Sequence, residues 1–248
     1  MKDNVLKNLA EESNSKQWQD LPVGGMTPFT TIDFPNRLAA VVYTQGCAWK
    51  CRYCHNTELR SVFNPLLEFE KLSQFLKDRK GKLDAIVFSG GEATLHKELP
   101  SWMGYVKEMG YEVGLHTSGM FSDRLKNLLP LCDWIGMDVK APFDDYEKIT
   151  LVGGSGKEAR KSAQLLLDSG VDYEFRTTVH PDLLSEHDII NLATELEGMG
   201  AKRFVVQAFQ PEGCTDERLN QTEIPVPVIS ESLQDILGKM FDSFEIRQ

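Results

Sequence analysis

The chain reads as an α/β protein, an incomplete six-stranded β/α barrel, and three observations predict it. Strand-like and helix-like stretches alternate along most of the sequence, the pattern of a parallel sheet with crossover helices. The first clear strand candidate, Leu38–Thr44, is a continuous apolar run, as expected of a strand buried on both faces. The length of 248 residues suits a β/α barrel folding as one unit.

The elements follow in order. Residues 1–22 are polar and charge-mixed, with Leu6, Leu9 and Trp18 too sparse to define a buried face, and read as an N-terminal extension ahead of a single domain over 23–248. Val23–Pro28 reads as loop on its Gly-Gly pair and proline, and Thr31–Asn36 ends in a turn signal. Strand one is Leu38–Thr44, and Phe69, Leu72, Phe75 and Leu76 stripe an amphipathic helix. Strand two is Asp84–Phe88, followed by a helix over roughly Glu98–Met109. Strand three, Tyr111–His116, leads to a helix over Ser122–Leu129 that Pro130 closes; strand four is Trp134–Asp138. After a loop rich in Asp and Gly, a helix over Glu158–Asp168 stops at Gly170, and Tyr173–Val179 is strand five. Ile189, Ile190, Ala193 and Leu196 mark the next helix, Arg203–Gln207 is strand six, and Ile229, Leu233, Ile236, Leu237 and Met240 recur at helical spacing. Right-handed crossovers would put every strand's C-terminal end on one face, where such folds carry their chemistry.

Charge and cysteine usage exclude several classes. A net charge of −10 argues against non-specific binding to nucleic acid or an anionic membrane, and no apolar run is long enough to span a bilayer. Five cysteines, three of them clustered, and an N-terminus without a secretion signal argue against a disulfide framework and for a reducing cytoplasm. Cys132, between Leu131 and Asp133, reads as a buried inert thiol; Cys214 has no assignable role.

The chemistry centres on Gly46–Asn56. Cys47, Cys51 and Cys54 stand at spacing C-x3-C-x2-C just after strand one, with no fourth cysteine nearby. A closed zinc site takes four ligands, and an electron-transfer cluster is usually held by four thiolates. Three thiolates leave one metal position open to substrate or cofactor. A zinc knuckle with His55 as fourth ligand is the alternative, but His55 adjoins Cys54 where structural zinc sites space their ligand pairs apart.

With Tyr53 before the last cysteine, this stretch resembles the radical S-adenosylmethionine (SAM) enzymes, whose fold is a partial (β/α)6 TIM-like barrel. The resemblance implies a [4Fe-4S] cluster on Cys47, Cys51 and Cys54, with SAM chelated to the fourth iron and cleaved by one electron to methionine and a 5'-deoxyadenosyl radical. Within that superfamily, Tyr53-Cys54-His55-Asn56 and Thr30–Pro35 resemble activating enzymes of glycyl radical proteins, most of all those acting on anaerobic ribonucleoside-triphosphate reductase.

The same resemblance assigns further residues. Gly90-Gly91-Glu92 matches the G-G-E motif that contacts the SAM amino group; as bare sequence it is an ordinary turn. In His116-Thr117-Ser118-Gly119, Thr117 and Gly119 fit the activators' pattern of acidic residue, Thr, Asn and Gly, whereas His116 and Ser118 depart from it. Thr117 and Ser118 are candidate SAM contacts. A histidine in place of the acid would suit a monovalent cation poorly and could meet the SAM carboxylate, or simply cap its strand. Asp138-Val139-Lys140 resembles the D-x-K motif, its two charges on one face of an alternating strand; a structural ion pair is the plainer reading. Arg176 fits R-x-x-V-x-P and completes the implied SAM set. Asp33 lies where related activators present an aspartate to the partner's loop, or else forms a turn.

The short interval from Cys54 to Gly90 leaves no room for a second, ferredoxin-like cluster domain, so one cluster is expected. The implied partners are a glycyl radical protein, with anaerobic ribonucleotide reductase foremost, and a flavodoxin or ferredoxin as electron donor. The rival readings are a radical SAM enzyme acting on a small molecule or peptide, an iron-sulfur electron carrier, and a zinc-stabilised binding module.

Overall fold

The structure, a computed structural model, describes residues 20–63 and 67–248. It is α/β throughout, and its residues group into two compact units. The first takes the chain up to Ala48, Leu59–Thr117 and Asp123–Ile135; the second takes Trp49–Glu58, Ser118–Ser122 and Gly136–Gln248. The expected polar extension falls, for residues 1–19, outside the described residues, whereas Leu21 and Pro22 are buried and the Pro22 carbonyl accepts the Gln45 N–H at 2.8 Å.

In the first unit the strands β1 (Val23–Thr30), β2 (Ala39–Thr44), β3 (Ala85–Gly90) and β4 (Glu112–Thr117) lie side by side in chain order. β2, β3 and β4 are parallel, joined by helices α1 (Phe69–Arg79) and α2 (Leu99–Glu108). The apolar run of β2 is buried as its composition requires, with Ala39 to Val42 all at 0–1% exposure. Phe34, Ala39, Val41, Ala85, Val87 and Trp134 form one core cluster in which the Phe34 and Trp134 rings lie 5.5 Å apart. α1 meets α2 through Ser73 Oγ and the Tyr105 hydroxyl at 2.7 Å, and the Tyr111 hydroxyl donates to the Leu76 carbonyl at 2.6 Å.

Two strands depart from the sequence reading, which counted six; among the described residues there are eight. Val23–Pro28, expected to be loop, belongs to β1, which pairs antiparallel to β2. The Gly-Gly pair and proline that signalled a loop sit at irregularities in the ladder, between Val23 and Gly25 and between Thr27 and Thr30. A bulged strand tolerates both residue types, because a missing donor or side chain there breaks no regular pairing. The other missed strand is β8 (Ser243–Arg247), a five-residue segment beyond the last helix.

β5 (Trp134–Asp138) begins in the first unit and ends in the second, and helix α3 (Ser122–Leu128) precedes it. The second unit holds β6 (Asp172–Val179), β7 (Arg203–Ala208) and β8, parallel and adjacent in that order. Its helices are the single turn α4 (Glu147–Thr150), α5 (Ser155–Ser169), α6 (Glu186–Gly198), the short α7 (Glu217–Gln221) and α8 (Glu231–Met240). α5 starts three residues before its predicted Glu158 and ends, as predicted, at Gly170, whose φ of 73° is the left-handed cap that glycine adopts freely. A reciprocal capping box between Ser185 and Asp188 starts α6, and Ser230 caps α8 by accepting the Leu233 N–H. Leu233 and Leu237 supply the buried stripe of α8, while Ile236 is exposed.

Leu237 is fully buried, so Leu237→Ala is expected to lower unfolding free energy in urea by about 2–5 kcal/mol, whereas Ile236→Ala changes it by less than about 1 kcal/mol.

Candidate functional site

In the first unit the candidate residues surround the segment Thr44–Cys47, at the C-terminal end of β2. Gly46 N–H donates to the Leu59 carbonyl at 2.7 Å and Cys47 N–H to the Arg60 carbonyl at 3.1 Å. From the β3 side, Gly91 N–H donates to the Thr44 carbonyl and Glu92 N–H to the Gly46 carbonyl, each at 2.8 Å. The approach is too close for side chains: a Cβ on Gly90 would strike the backbone of Thr44, and one on Gly91 the carbonyls of Gly46 and Leu59. Gly90 also takes φ 120°, which L side chains rarely adopt. The two glycines expected to admit a ligand therefore first admit the chain's own cysteine segment.

Glu92 is buried, and its Oε1 accepts from the Thr94 N–H at 3.2 Å and from the Thr94 and Thr117 hydroxyls at 2.7 Å each. Glu92 and Thr117, predicted separately from two strand ends, thus share one hydrogen-bond network. His96, which sequence reasoning passed over, places Nε2 2.7 Å from the Gln45 carbonyl, and burial lowers its pKa. His116 sets Nε2 2.9 Å from the Asp33 carbonyl and its ring against Trp134, so it ties the Thr30–Pro35 segment to β4. Asp33 itself accepts the Thr30 hydroxyl at 2.6 Å, the turn role weighed for it.

The second unit holds Cys51, Tyr53, Cys54, Ser118, Asp138, Lys140 and Arg176. Lys140 and Arg176 converge on one carboxylate: Lys140 Nζ is 3.4 Å from Asp138 Oδ2 and Arg176 Nε is 3.0 Å from Asp138 Oδ1. The Lys140 ammonium also stands 5.5 Å from the Tyr53 ring centroid. Burial alone would depress the lysine's pKa, whereas Tyr53, Asp138 and Cys51 around it push it up. Burial pushes the Cys51 thiol up, and the Lys140 charge opposes that rise. The plainer ion-pair reading of Asp138 and Lys140 is thus realised, in a form that keeps a buried cation near Cys51.

The cysteine segment is braced in this unit as well. Lys50 N–H donates to the Thr150 carbonyl at 3.0 Å and Arg52 N–H to the Ile149 carbonyl at 3.1 Å, both in α4. A second brace, which no local sequence signal announced, is the stretch after β7. Phe209 meets the His55 ring at 5.4 Å, Gly213 passes so near the His55 carbonyl that a Cβ would overlap it, and Cys214 Sγ lies 3.5 Å from the Arg52 carbonyl. Cys214 thereby gains a place against the segment carrying Cys51 and Cys54. His55 is engaged with Phe209 and lies 3.3 Å from the Glu212 carbonyl. Cys132 is buried, and burial pushes its thiol up, as an inert thiol requires.

None of the five cysteines is in a disulfide, and Cys47, Cys51 and Cys54 are partly exposed. Among the described residues no group of three or more His, Cys, Asp and Glu side chains is arranged around a single metal ion, and no helix is long and apolar enough to cross a membrane.

An α/β fold with a thiol triplet after one strand and buried charges after others has the make-up of an enzyme built around a sulfur-ligated cofactor. The chain belongs to the radical SAM superfamily, whose family model matches residues 41–207. A Methanocaldococcus jannaschii protein described as a glycyl-radical enzyme activating enzyme is 30% identical over 232 residues, 91% of this chain and 95% of that one. The pyruvate formate-lyase-activating enzyme of Streptococcus mutans is 27% identical over 223 residues, 83% of each chain. Among solved structures, Streptococcus suis SuiB bound to precursor peptide SuiA matches with a TM-score of 0.63 at 16% identity. That match covers 84% of this chain and 48% of SuiB, so the chain spans about half the length of that neighbour. The likeness shows the fold, of the partial (β/α)6 class expected from the strand-helix alternation. The chain is a radical SAM enzyme with relatives named as glycyl-radical enzyme activating enzymes, and the superfamily's cofactors are a [4Fe-4S] cluster and SAM.

The close backbone contact at Gly91 yields a test with an internal control. Gly91→Ala is expected to lower the stability of the folded protein by more than about 2 kcal/mol. Gly25→Ala, where nothing lies within 4 Å of the added carbon, stays within about 1 kcal/mol; thermal unfolding of the two variants checks this.

Proposed function

We propose that the chain activates a glycyl radical protein, with Cys47, Cys51 and Cys54 ligating three irons of a [4Fe-4S] cluster. Tyr53, Gly90, Gly91, Glu92, Thr117, Ser118, Asp138, Lys140 and Arg176 hold SAM. The single observation that carries this reading is the C-x3-C-x2-C triplet in a radical SAM chain. The donor set fits the cluster: three thiols outside any disulfide, with Lys140 opposing the rise that burial imposes on the Cys51 thiol. It fits SAM in that two cations and a buried carboxylate network suit a ligand carrying both an amino and a carboxylate group. SAM held by these residues would supply the one-electron chemistry that takes a hydrogen atom from a glycine Cα.

The chain's own residues do the positioning. Glu92, its Oε1 already fixed by three donors, offers an oriented negative group to the amino end. Lys140 and Arg176 keep positive charge where water is scarce, which strengthens their hold on an anionic group. The partner is anaerobic ribonucleotide reductase, on the likeness of Tyr53–Asn56 and Thr30–Pro35 to its activators; pyruvate formate-lyase is the substrate named by several relatives. The electron donor is a flavodoxin or ferredoxin, and the setting is the cytoplasm, where five free thiols stay reduced.

Anaerobic reconstitution followed by reduction in the presence of SAM and a purified anaerobic ribonucleotide reductase is expected to give a glycyl doublet in electron spin resonance. Cys51→Ala is expected to abolish both that doublet and iron retention. A doublet on pyruvate formate-lyase alone would overturn the partner, and SAM cleavage with no doublet on either would overturn the activase reading.

A further inference from the structure

Tyr146 is fully buried, and its hydroxyl lies in the turn that follows β5. It accepts the backbone N–H of Lys140 at 3.0 Å and donates to the backbone carbonyl of Asp138 at 3.3 Å. The first carbonyl and third amide of Asp138-Val139-Lys140 thus close on one oxygen, which fixes the frame that carries both charged side chains.

The rest of Tyr146 faces the cysteine segment. Its ring meets Trp49 edge-on at 5.7 Å, and Phe143 stacks at 6.0 Å. Its carbonyl accepts the N–H groups of Ile149 and Thr150 at 3.1 and 3.0 Å. Those two residues accept in turn from the Arg52 and Lys50 amides. One side chain therefore governs the turn bearing Lys140, and the same residue anchors the α4 carbonyls that brace the backbone on either side of Cys51. A tyrosine that merely filled space would satisfy its hydroxyl with whatever group lay nearby; this one spends both hydrogen-bonding functions on the two backbone groups flanking Val139.

We propose that Tyr146 is a positioning residue that acts through Lys140: its hydroxyl sets the Asp138–Lys140 turn in the geometry that serves SAM. The inference rests on the SAM-binding role proposed above for Lys140. Tyr146→Phe tests it, since the ring and its packing remain while both hydrogen bonds go. In the reconstituted protein, before reduction, the dissociation constant for SAM is expected to rise about tenfold in Tyr146→Phe. Adding the same substitution to Lys140→Met should then change it little, because the residue through which Tyr146 acts is gone. In the protein without cluster, hydrogen exchange at the Lys140 amide should be slow in the native chain and about tenfold faster in Tyr146→Phe, with β7 amides unchanged.

Equal dissociation constants for the native chain and Tyr146→Phe, or equal losses in both backgrounds, would overturn the proposal. Rapid exchange of the Lys140 amide in the native chain would overturn it without any variant. A native chain that assembles its cluster yet binds no SAM refutes the role of Lys140 itself, a failure seen in the native protein and so distinct from one confined to the variant.

Discussion

In the first unit the backbone of Gly90 and Gly91 presses on Thr44–Gly46 so closely that no Cβ fits between them. Two amides cross that contact, Gly91 to Thr44 and Glu92 to Gly46, and extend the pairing of β2 and β3 beyond the strands proper. Cys47 is the next residue, so the entry into the cysteine segment inherits its position from the sheet. Glu92 follows from the same constraint: with its backbone pinned, its buried carboxylate meets donors from Thr94 and Thr117. A Gly-Gly-Glu run in this place serves the protein's own backbone before it serves any ligand.

The second unit adds a constraint of a different kind. Removing an ammonium from water costs several kcal/mol even after relaxation, yet Lys140 is buried, with Asp138 as its ion-pair partner. Asp138 and the Tyr53 ring offset that cost locally, and Arg176 shares the carboxylate. Evolution does not need such a group for packing, since an apolar residue of similar volume packs as well or better. A buried ion pair beside a thiol suits the cofactor site proposed for it.

How much of this was legible depended on whether a residue's partner lay near it in sequence. β2 was legible because four buried apolar residues in a row admit few other readings, and α5 because Gly170 had to stop it. Asp138 and Lys140 were legible as a pair, two positions apart at a strand end. β1 was not, since Gly24, Gly25 and Pro28 signal a loop and only the antiparallel partner β2 reveals the bulged strand around them. β8 shows Phe244 and Ile246 alternating with polar residues, a true period-two signal too short to stand out after a helix. Tyr146 and the Phe209–Cys214 brace were invisible because their meaning lies in contacts with residues from 6 to 162 positions away. For His116, the resemblance raised a choice between cofactor contact and strand cap; in the structure its ring meets the Asp33 carbonyl and Trp134.

Everything functional in this account turns on three thiolates leaving one iron of a four-iron cluster open to SAM. The Mössbauer spectrum of the anaerobically reconstituted protein, recorded with and without SAM, addresses that directly. SAM is expected to shift the signal of one iron and leave the others in place. A spectrum in which SAM alters no iron, or in which the iron is not in a four-iron cluster at all, would contradict it.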